Sequence, residues 1–205
     1  EKATVQLKYG LEPLFQTKQG ANKNLTENSD GFHRKINYMR ISVTDRCNQR
    51  CFYCMPENGI KLIDKPNIMT TEEIVAISKT FVELGVDTIR LTGGEPLIRK
   101  DFDELIRELD GLGVSLKLTT NGILLDRFFD LFREVGLNNV NISLDSLDKA
   151  KSLFINKRDY YDRIMTNIQK AIDLGAEYVE VDVRTSKDGV LYNFHDTYVN
   201  RTTNG

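Results

Sequence analysis

Three cysteines, Cys47, Cys51 and Cys54, lie within one short segment, and the sequence contains no others. Three and then two residues separate them, so their thiolates can converge on a single inorganic centre. Sulfur ligands favour an iron–sulfur cluster or zinc over hard cations. Because a cubane cluster has four irons, three protein thiolates would leave one iron open to a small molecule.

Two other uses of the cysteines compete with the cluster. A disulfide framework is typical of small secreted chains with an even cysteine count, whereas this count is odd and the thiols are too bunched to join distant segments. Structural zinc is the stronger alternative, because three thiolates with His33 or His195 would complete a tetrahedron. The cysteines alone leave zinc open.

Length and charge set broad limits on the function. The 205 residues can bury one good core, and a formal net charge of -2 gives no general attraction to nucleic acid or anionic membranes. No stretch approaches the apolar length that spans a bilayer. We therefore expect a cytoplasmic protein with a small-molecule substrate and with neither nucleic acid nor membrane as a partner.

The pattern of apolar residues divides the chain into three parts. Residues 1–30 predict an irregular arm, residues 31–184 a barrel-like region, and residues 185–205 an irregular segment. Within the middle part, strands are predicted over residues 38–43, 88–92, 115–119, 139–144 and 178–184. Helices are predicted over residues 71–84, 101–109, 125–134 and 160–174, with glycines 85, 111, 136 and 175 near their ends. This alternation indicates an α/β fold, a partial (β/α) TIM-type barrel of parallel strands.

Polar loops follow the first four predicted strands. The first strand leads into the cysteines, and the next three lead into Thr-Gly-Gly-Glu-Pro (92–96), Thr-Thr-Asn-Gly (119–122) and Ser-Leu-Asp-Ser (143–146). Each loop alone is typical of a turn. Because parallel strands place their carboxyl ends at one edge, the four loops together predict the mouth of an active site.

The cysteine spacing followed by the Gly-Gly-Glu-Pro loop resembles the radical S-adenosylmethionine (SAM) enzymes. That resemblance implies a [4Fe-4S] cluster on Cys47, Cys51 and Cys54, with the methionyl group of SAM on the open iron. It also implies that Tyr53 lies beside the adenine and that the Gly-Gly-Glu segment holds the methionyl amino group. The implied SAM-binding residues are Tyr53, Gly93, Gly94, Glu95 and Ser143.

Longer segments within about residues 31–174, among them Tyr-Met-Arg-Ile-Ser-Val-Thr-Asp-Arg-Cys-Asn and Ile-Arg-Leu-Thr-Gly-Gly-Glu-Pro, resemble the GTP 3',8-cyclases of molybdenum cofactor biosynthesis. This resemblance implies reductive cleavage of SAM, which needs an electron donor, and GTP contacts from Arg40, Arg90 and Thr119. The planar guanidinium fork suits phosphate oxygens. The family also has a second three-cysteine cluster, for which no cysteine follows Cys54 here, and Glu180 stands where it has a basic residue. We therefore expect an incomplete GTP site.

Residues 171–205 resemble a different family, the glycerophosphodiester phosphodiesterases, which implies that the chain is a hybrid. That resemblance implies divalent metal on Glu180 and Asp182, with His195 assisting phosphodiester cleavage. Two carboxylates that alternate along a strand face the same way and suit calcium or magnesium. The alternatives to the radical enzyme are therefore a metal-dependent hydrolase and a zinc-stabilised or inactive hybrid.

Overall fold

Strands and helices alternate through most of the described part of the chain, which comprises residues 35–55, 60–174, 183–185 and 191–193 of a computed structural model. For the last two segments only the backbone is described. Four parallel strands form one sheet in sequence order. They are β1 (Tyr38–Ser42), β2 (Thr88–Thr92), β3 (Ser115–Thr120) and β4 (Asn139–Ile142). The predicted parallel α/β architecture is confirmed.

Five α-helices connect or follow these strands in the described residues. They are α1 (Thr71–Glu83), α2 (Phe102–Asp110), α3 (Phe129–Glu134), α4 (Lys149–Asn156) and α5 (Tyr161–Asp173). A capping box begins α1, in which the Thr70 hydroxyl accepts from the Glu73 N–H and the Glu73 carboxylate accepts from the Thr70 N–H. None of the helices in the described part of the chain combines the length and the apolar character that crossing a bilayer requires.

The two faces of the sheet differ sharply, because successive side chains of a strand point to opposite sides. One face is apolar and packs against the helices; its fully buried members include Ile89, Leu91 and Leu118. From the helical layer, α2 buries four side chains against it: Phe102, Leu105, Ile106 and Leu109. The opposite face carries the polar residues of each strand and stays partly exposed, so it is the face available to a ligand.

Several details of the structure differ from the sequence predictions. Helix α4 was not predicted at all, and the predicted helix over residues 125–134 is a 3-10 turn at Leu125–Arg127 followed by α3. Gly85 and Gly136 adopt positive φ angles after their helices, whereas Gly111 remains right-handed and Gly113 supplies the positive φ instead.

The predicted fifth parallel strand is wrong in its described part. Val183–Thr185 (β5) pairs antiparallel with Leu191–Asn193 (β6) in a separate two-stranded sheet. Within the described residues, β5 is not a member of the sheet that contains β4. The segment over residues 185–205, predicted to be irregular, accordingly contains a strand. The division into three parts stays a prediction.

Candidate metal centre and substrate face

The cysteine loop leaves the end of β1 and folds back on itself. The N–H groups of Cys54 and Met55 both donate to the Cys51 carbonyl, at 3.0 and 2.8 Å, which closes a tight turn around the last two thiols. Cys51 is buried, Cys47 is partly buried and Cys54 is exposed. The loop therefore presents one thiol to solvent while it encloses the other two.

The thiols interact electrostatically with each other. Burial raises the pKa of all three, and for Cys51 burial followed by the nearby carboxylate of Asp145 raises the pKa to about 12. The charges of Cys47 and Cys54 push the pKa of Cys51 in the same direction. Without a cation the three groups are therefore protonated at neutral pH, and a bound metal would favour the thiolates.

The donor set consists of three thiols on one loop, and sulfur ligands of this kind suit an iron–sulfur cluster or zinc. Among the described side chains, no three of the His, Cys, Asp or Glu types are placed to hold one metal ion. His33 and His195, the predicted fourth zinc ligands, lie outside the described residues.

The end of α4 fixes the cysteine loop from behind. The N–H groups of Arg50 and Phe52 donate to the carbonyls of Asn156 and Ile155 at 3.0 and 3.1 Å. The Cys51 thiol donates to the buried side-chain oxygen of Asn156 at 3.3 Å. Two terminal carbonyls of the helix thus find backbone partners in the loop, which holds Cys51 in place.

The Gly-Gly-Glu segment lies directly against the cysteine loop. Gly94 N–H donates to the Thr44 carbonyl and Glu95 N–H to the Arg46 carbonyl, both at 2.7 Å. A Cβ added at Gly93 would lie 2.4 Å from the Thr44 oxygen, and one at Gly94 would lie 2.2 Å from the Arg46 oxygen. Both glycines are therefore required by the close approach of the two loops.

Glu95 is almost completely buried, with 1% of its surface exposed. Its Oε1 accepts from Leu97 N–H at 3.1 Å and from the Thr120 hydroxyl at 2.7 Å, and its Oε2 accepts from Asn121 N–H at 2.7 Å. Burial raises its pKa, although these three donors act in the opposite direction. The carboxylate thus joins the loop after β2 to the loop after β3. Its contact with SAM stays a prediction.

Asn121 extends that connection to the cysteines. Its Nδ2 donates to Asn48 Oδ1 at 2.6 Å and lies 3.9 Å from Cys47 Sγ, while its Oδ1 accepts from Ile123 N–H at 3.1 Å. The sequence predicts the Thr-Thr-Asn-Gly loop at the mouth of the site but gives no role to Asn121. The signal that the sequence offers is the place of this amide in the polar loop that follows the strand predicted over residues 115–119.

Tyr53 and Ser143 lie where loops from β1 and β4 meet. The Tyr53 hydroxyl donates to Asp145 Oδ1 at 2.9 Å, and Ser143 N–H donates to the Thr120 carbonyl at 2.8 Å. Tyr53 retains 44% exposure, so its ring remains available to a ligand. Burial raises the pKa of Asp145, which the sequence analysis did not single out.

The predicted GTP contacts share the polar face of the sheet. Arg40 and Arg90 are register partners on β1 and β2. The Arg90 guanidinium donates to the Thr119 hydroxyl at 3.3 Å, to Leu118 O at 3.2 Å and to Asn139 Oδ1 at 3.1 Å. The structure therefore brings Arg40, Arg90 and Thr119 together. Glu180, Asp182 and His195 lie outside the described residues, so the hydrolase site stays a prediction.

Comparison with known proteins identifies the class to which this fold and site belong. The Radical SAM superfamily matches residues 41–185. The chain therefore belongs to that superfamily, whose members use a [4Fe-4S] cluster and SAM.

Curated relatives narrow the likeness further. Molybdenum cofactor biosynthesis protein 1 of Mus musculus is 50% identical over 156 residues, which cover 75% of this chain and 24% of that protein. The mitochondrial GTP 3',8-cyclase of Arabidopsis thaliana is 47% identical over 155 residues, covering 75% and 40%. The GTP 3',8-cyclase of Peptoclostridium acidaminophilum is 45% identical over 156 residues, which cover 75% of this chain and 48% of that protein. The chain thus spans about a quarter to a half of the length of these relatives.

Solved structures agree on the fold. Streptococcus suis SuiB bound to S-adenosylmethionine matches with a TM-score of 0.55 at 20% identity, covering 68% of this chain and 32% of that one. Methylornithine synthase matches with a TM-score of 0.51 at 20% identity, covering 67% and 42%. None of the relatives or structures named here is a phosphodiesterase, and the superfamily match includes Glu180 and Asp182.

Proposed function

We propose that this chain is the SAM-cleaving portion of a GTP 3',8-cyclase. The observation that carries the proposal is the contact between the cysteine loop and the Gly-Gly-Glu segment, made at the edge of a sheet whose open face bears Arg40 and Arg90. This arrangement supports the proposal, because a cofactor held by the loop would lie next to an anion held by the arginines. The identity to relatives named GTP 3',8-cyclase points to the same reaction.

The cofactor residues follow from this arrangement. Cys47, Cys51 and Cys54 would hold the cluster, and SAM would lie against Tyr53, the Gly93–Glu95 segment and Ser143. The N–H groups of Gly94 and Glu95 donate to the cysteine loop, and the Glu95 carbonyl accepts from Ile98 N–H at 3.3 Å. The Gly94 carbonyl oxygen would therefore be the acceptor for the methionyl ammonium. The buried Glu95 carboxylate would act by holding this segment in place.

The polar face would bind the triphosphate of GTP. Arg40 and Arg90 supply positive charge, and the Thr119 hydroxyl already accepts from Arg90, which leaves its proton for a ligand oxygen. When bound, the cluster and SAM would supply the radical chemistry that removes hydrogen from the GTP ribose. An external one-electron donor is a required partner.

The test is anaerobic incubation of the reconstituted, reduced chain with SAM and GTP, followed by chromatography of the products. We expect 5'-deoxyadenosine but no cyclised GTP, because no cysteine of this chain follows Cys54 to hold a second cluster. Cys51→Ala, treated identically, is the matched control and should give no 5'-deoxyadenosine. Absence of 5'-deoxyadenosine from the wild type would refute the proposal, and cyclised GTP would show that the chain is sufficient alone.

Metal analysis and hydrolysis assays on the same preparation distinguish the two alternative functions, a zinc-stabilised protein and a metal-dependent hydrolase. Stoichiometric zinc without iron would favour the zinc-stabilised protein, and metal-dependent hydrolysis of glycerophosphodiesters would favour the hydrolase at Glu180, Asp182 and His195. We also propose a cytoplasmic location, although the relative from Arabidopsis thaliana is named as a mitochondrial enzyme.

A further inference from the structure

A third cation stands beside the two predicted phosphate ligands. In the sheet, Arg40 on β1 is the register partner of Arg90 on β2, and Arg90 is the partner of Lys117 on β3. All three side chains belong to the polar face, because the two residues that flank each of them along its strand belong to the apolar face. Neighbouring strands are about 4.8 Å apart, so the row is about 10 Å long.

The charges of this row are uncompensated in the described part of the chain. None of the ion pairs found there involves Arg40, Arg90 or Lys117. Arg90 donates to neutral acceptors only, among them the Tyr38 hydroxyl, and Lys117 Nζ lies 5.8 Å from the centre of the Tyr38 ring. Like charges directly opposite each other on a sheet are destabilising, so three in a row favour a bound anion.

The row lies below the rim of the sheet. Each cation lies two residues before the last polar residue of its strand on the same face, and these last residues are Ser42, Thr92 and Thr119. Two residues of strand correspond to about 6.6 Å of depth. An anion held here would reach inward from the loops that carry the cysteines and the Gly-Gly-Glu segment.

We propose that Lys117 completes a three-cation site for a linear polyphosphate and determines the preferred length of the phosphate chain. The inference rests on the proposed function, since it specifies how that site would select a nucleoside triphosphate. A single phosphate can engage one or two neighbouring cations, whereas a chain of three can lie along the whole row. Lys117 is a point charge that adds to the bidentate geometry of the two arginines.

The experiment measures binding of inorganic triphosphate, pyrophosphate, orthophosphate, GTP and guanosine to the full 205-residue chain by titration calorimetry. Lys117→Met should weaken triphosphate binding by about tenfold and orthophosphate binding much less. Lys117→Arg, which keeps the charge, should restore the preference for the longer anion. Lys79→Met is the matched control, since it removes the same charge from an exposed position on α1. Lys117→Gln provides a second neutral variant in case Lys117→Met does not fold.

Each outcome bears on the inference. Equal triphosphate affinity in wild type, Lys117→Met and Lys117→Gln would overturn it, as would an equal loss in Lys79→Met or no triphosphate binding by the wild type. Failure of the proposed function looks different: triphosphate would depend on Lys117 while GTP binds no better than triphosphate and no 5'-deoxyadenosine forms. If 5'-deoxyadenosine forms but substitution of Lys117 changes the affinity for neither triphosphate nor orthophosphate, the proposed function stands and the role of Lys117 is refuted.

Discussion

Asn121 places its side-chain Nδ2 3.9 Å from Cys47 Sγ. The same residue donates its backbone N–H to the Glu95 carboxylate at 2.7 Å. One asparagine therefore links the cysteine loop after β1, the glutamate after β2 and its own loop after β3. A substitution in any of these three loops should therefore change the structure of the other two.

Replacing Asn121 should change the electronic properties of the cluster. Hydrogen bonds to the sulfurs stabilise the additional negative charge of the reduced state, so Asn121→Ala should lower the midpoint potential of the reconstituted cluster. A potentiometric titration followed by electron paramagnetic resonance measures the shift. Asn167→Ala is the control, because this equally buried amide donates to the carbonyls of Gly122 and Ile123 instead of to sulfur. Identical potentials in Asn121→Ala and wild type would contradict the prediction.

The Glu95 carboxylate should contribute strongly to stability. Glu95→Ala leaves the Thr120 hydroxyl and the Asn121 N–H without an acceptor in a buried site, which should lower the free energy of unfolding by about 3 kcal/mol. Urea denaturation measures this. Glu134→Ala removes an exposed carboxylate that pairs with Arg107, and it should cost less than about 1 kcal/mol. If the two variants lost equal stability, Glu95 would not join the loops as described.

The pH dependence of stability should also carry the signature of Glu95. Burial raises the pKa of Glu95 in the folded protein above the ordinary value of 4.5. At a pH between 4.5 and the folded pKa, the folded protein therefore holds a proton that the unfolded chain has released. The stabilising contribution is complete below pH 4.5 and is lost as pH rises through the folded pKa. Relative to Glu95→Gln, wild-type stability should therefore fall with rising pH across this window and then become level. A rising difference would reverse the sign of the inferred shift.

Gly94 should tolerate no side chain, and the reason is contact between loops. Gly94→Ala sets a Cβ against the Arg46 carbonyl, which should cost about 2 kcal/mol and reduce cluster retention by displacing the cysteine loop. Gly113→Ala is the control, since it has a positive φ of 70° but no atom within 4 Å of the added Cβ. It should cost about 1 kcal/mol of backbone strain and leave the iron content unchanged. Full iron content in Gly94→Ala would show that the loops separate without consequence.

Removing Cys51 should abolish the cluster. Each cysteine would be one of three protein ligands, and the chain has no fourth thiol to replace it. Iron and sulfide analysis after anaerobic reconstitution should find no [4Fe-4S] cluster in Cys51→Ala, and the same holds for Cys47→Ala and Cys54→Ala. A full complement of four irons in Cys51→Ala would refute the assignment of the cluster to this loop.

The parallel architecture could be predicted because apolar strands, amphipathic helices and terminal glycines repeat in a regular order. Helix α4 could not, because two of its buried residues, Ser152 and Asn156, are polar, and Lys151 occupies the place of the glutamate in a capping box. The sequence does not reveal the burial of Glu95 either, since two of its three donors, Thr120 and Asn121, lie more than twenty residues away. Its location in a polar loop suggested a group that faces the ligand.

The seating of the cysteine loop on α4 determines when the metal centre can be assembled. Cys51 is bonded to a residue that lies 105 positions later in the chain. When the ribosome has synthesised the cysteine loop but not yet α4, the loop lacks its hydrogen-bond partners at Ile155 and Asn156. We therefore expect the cluster to be inserted after the chain has been synthesised and folded through α4.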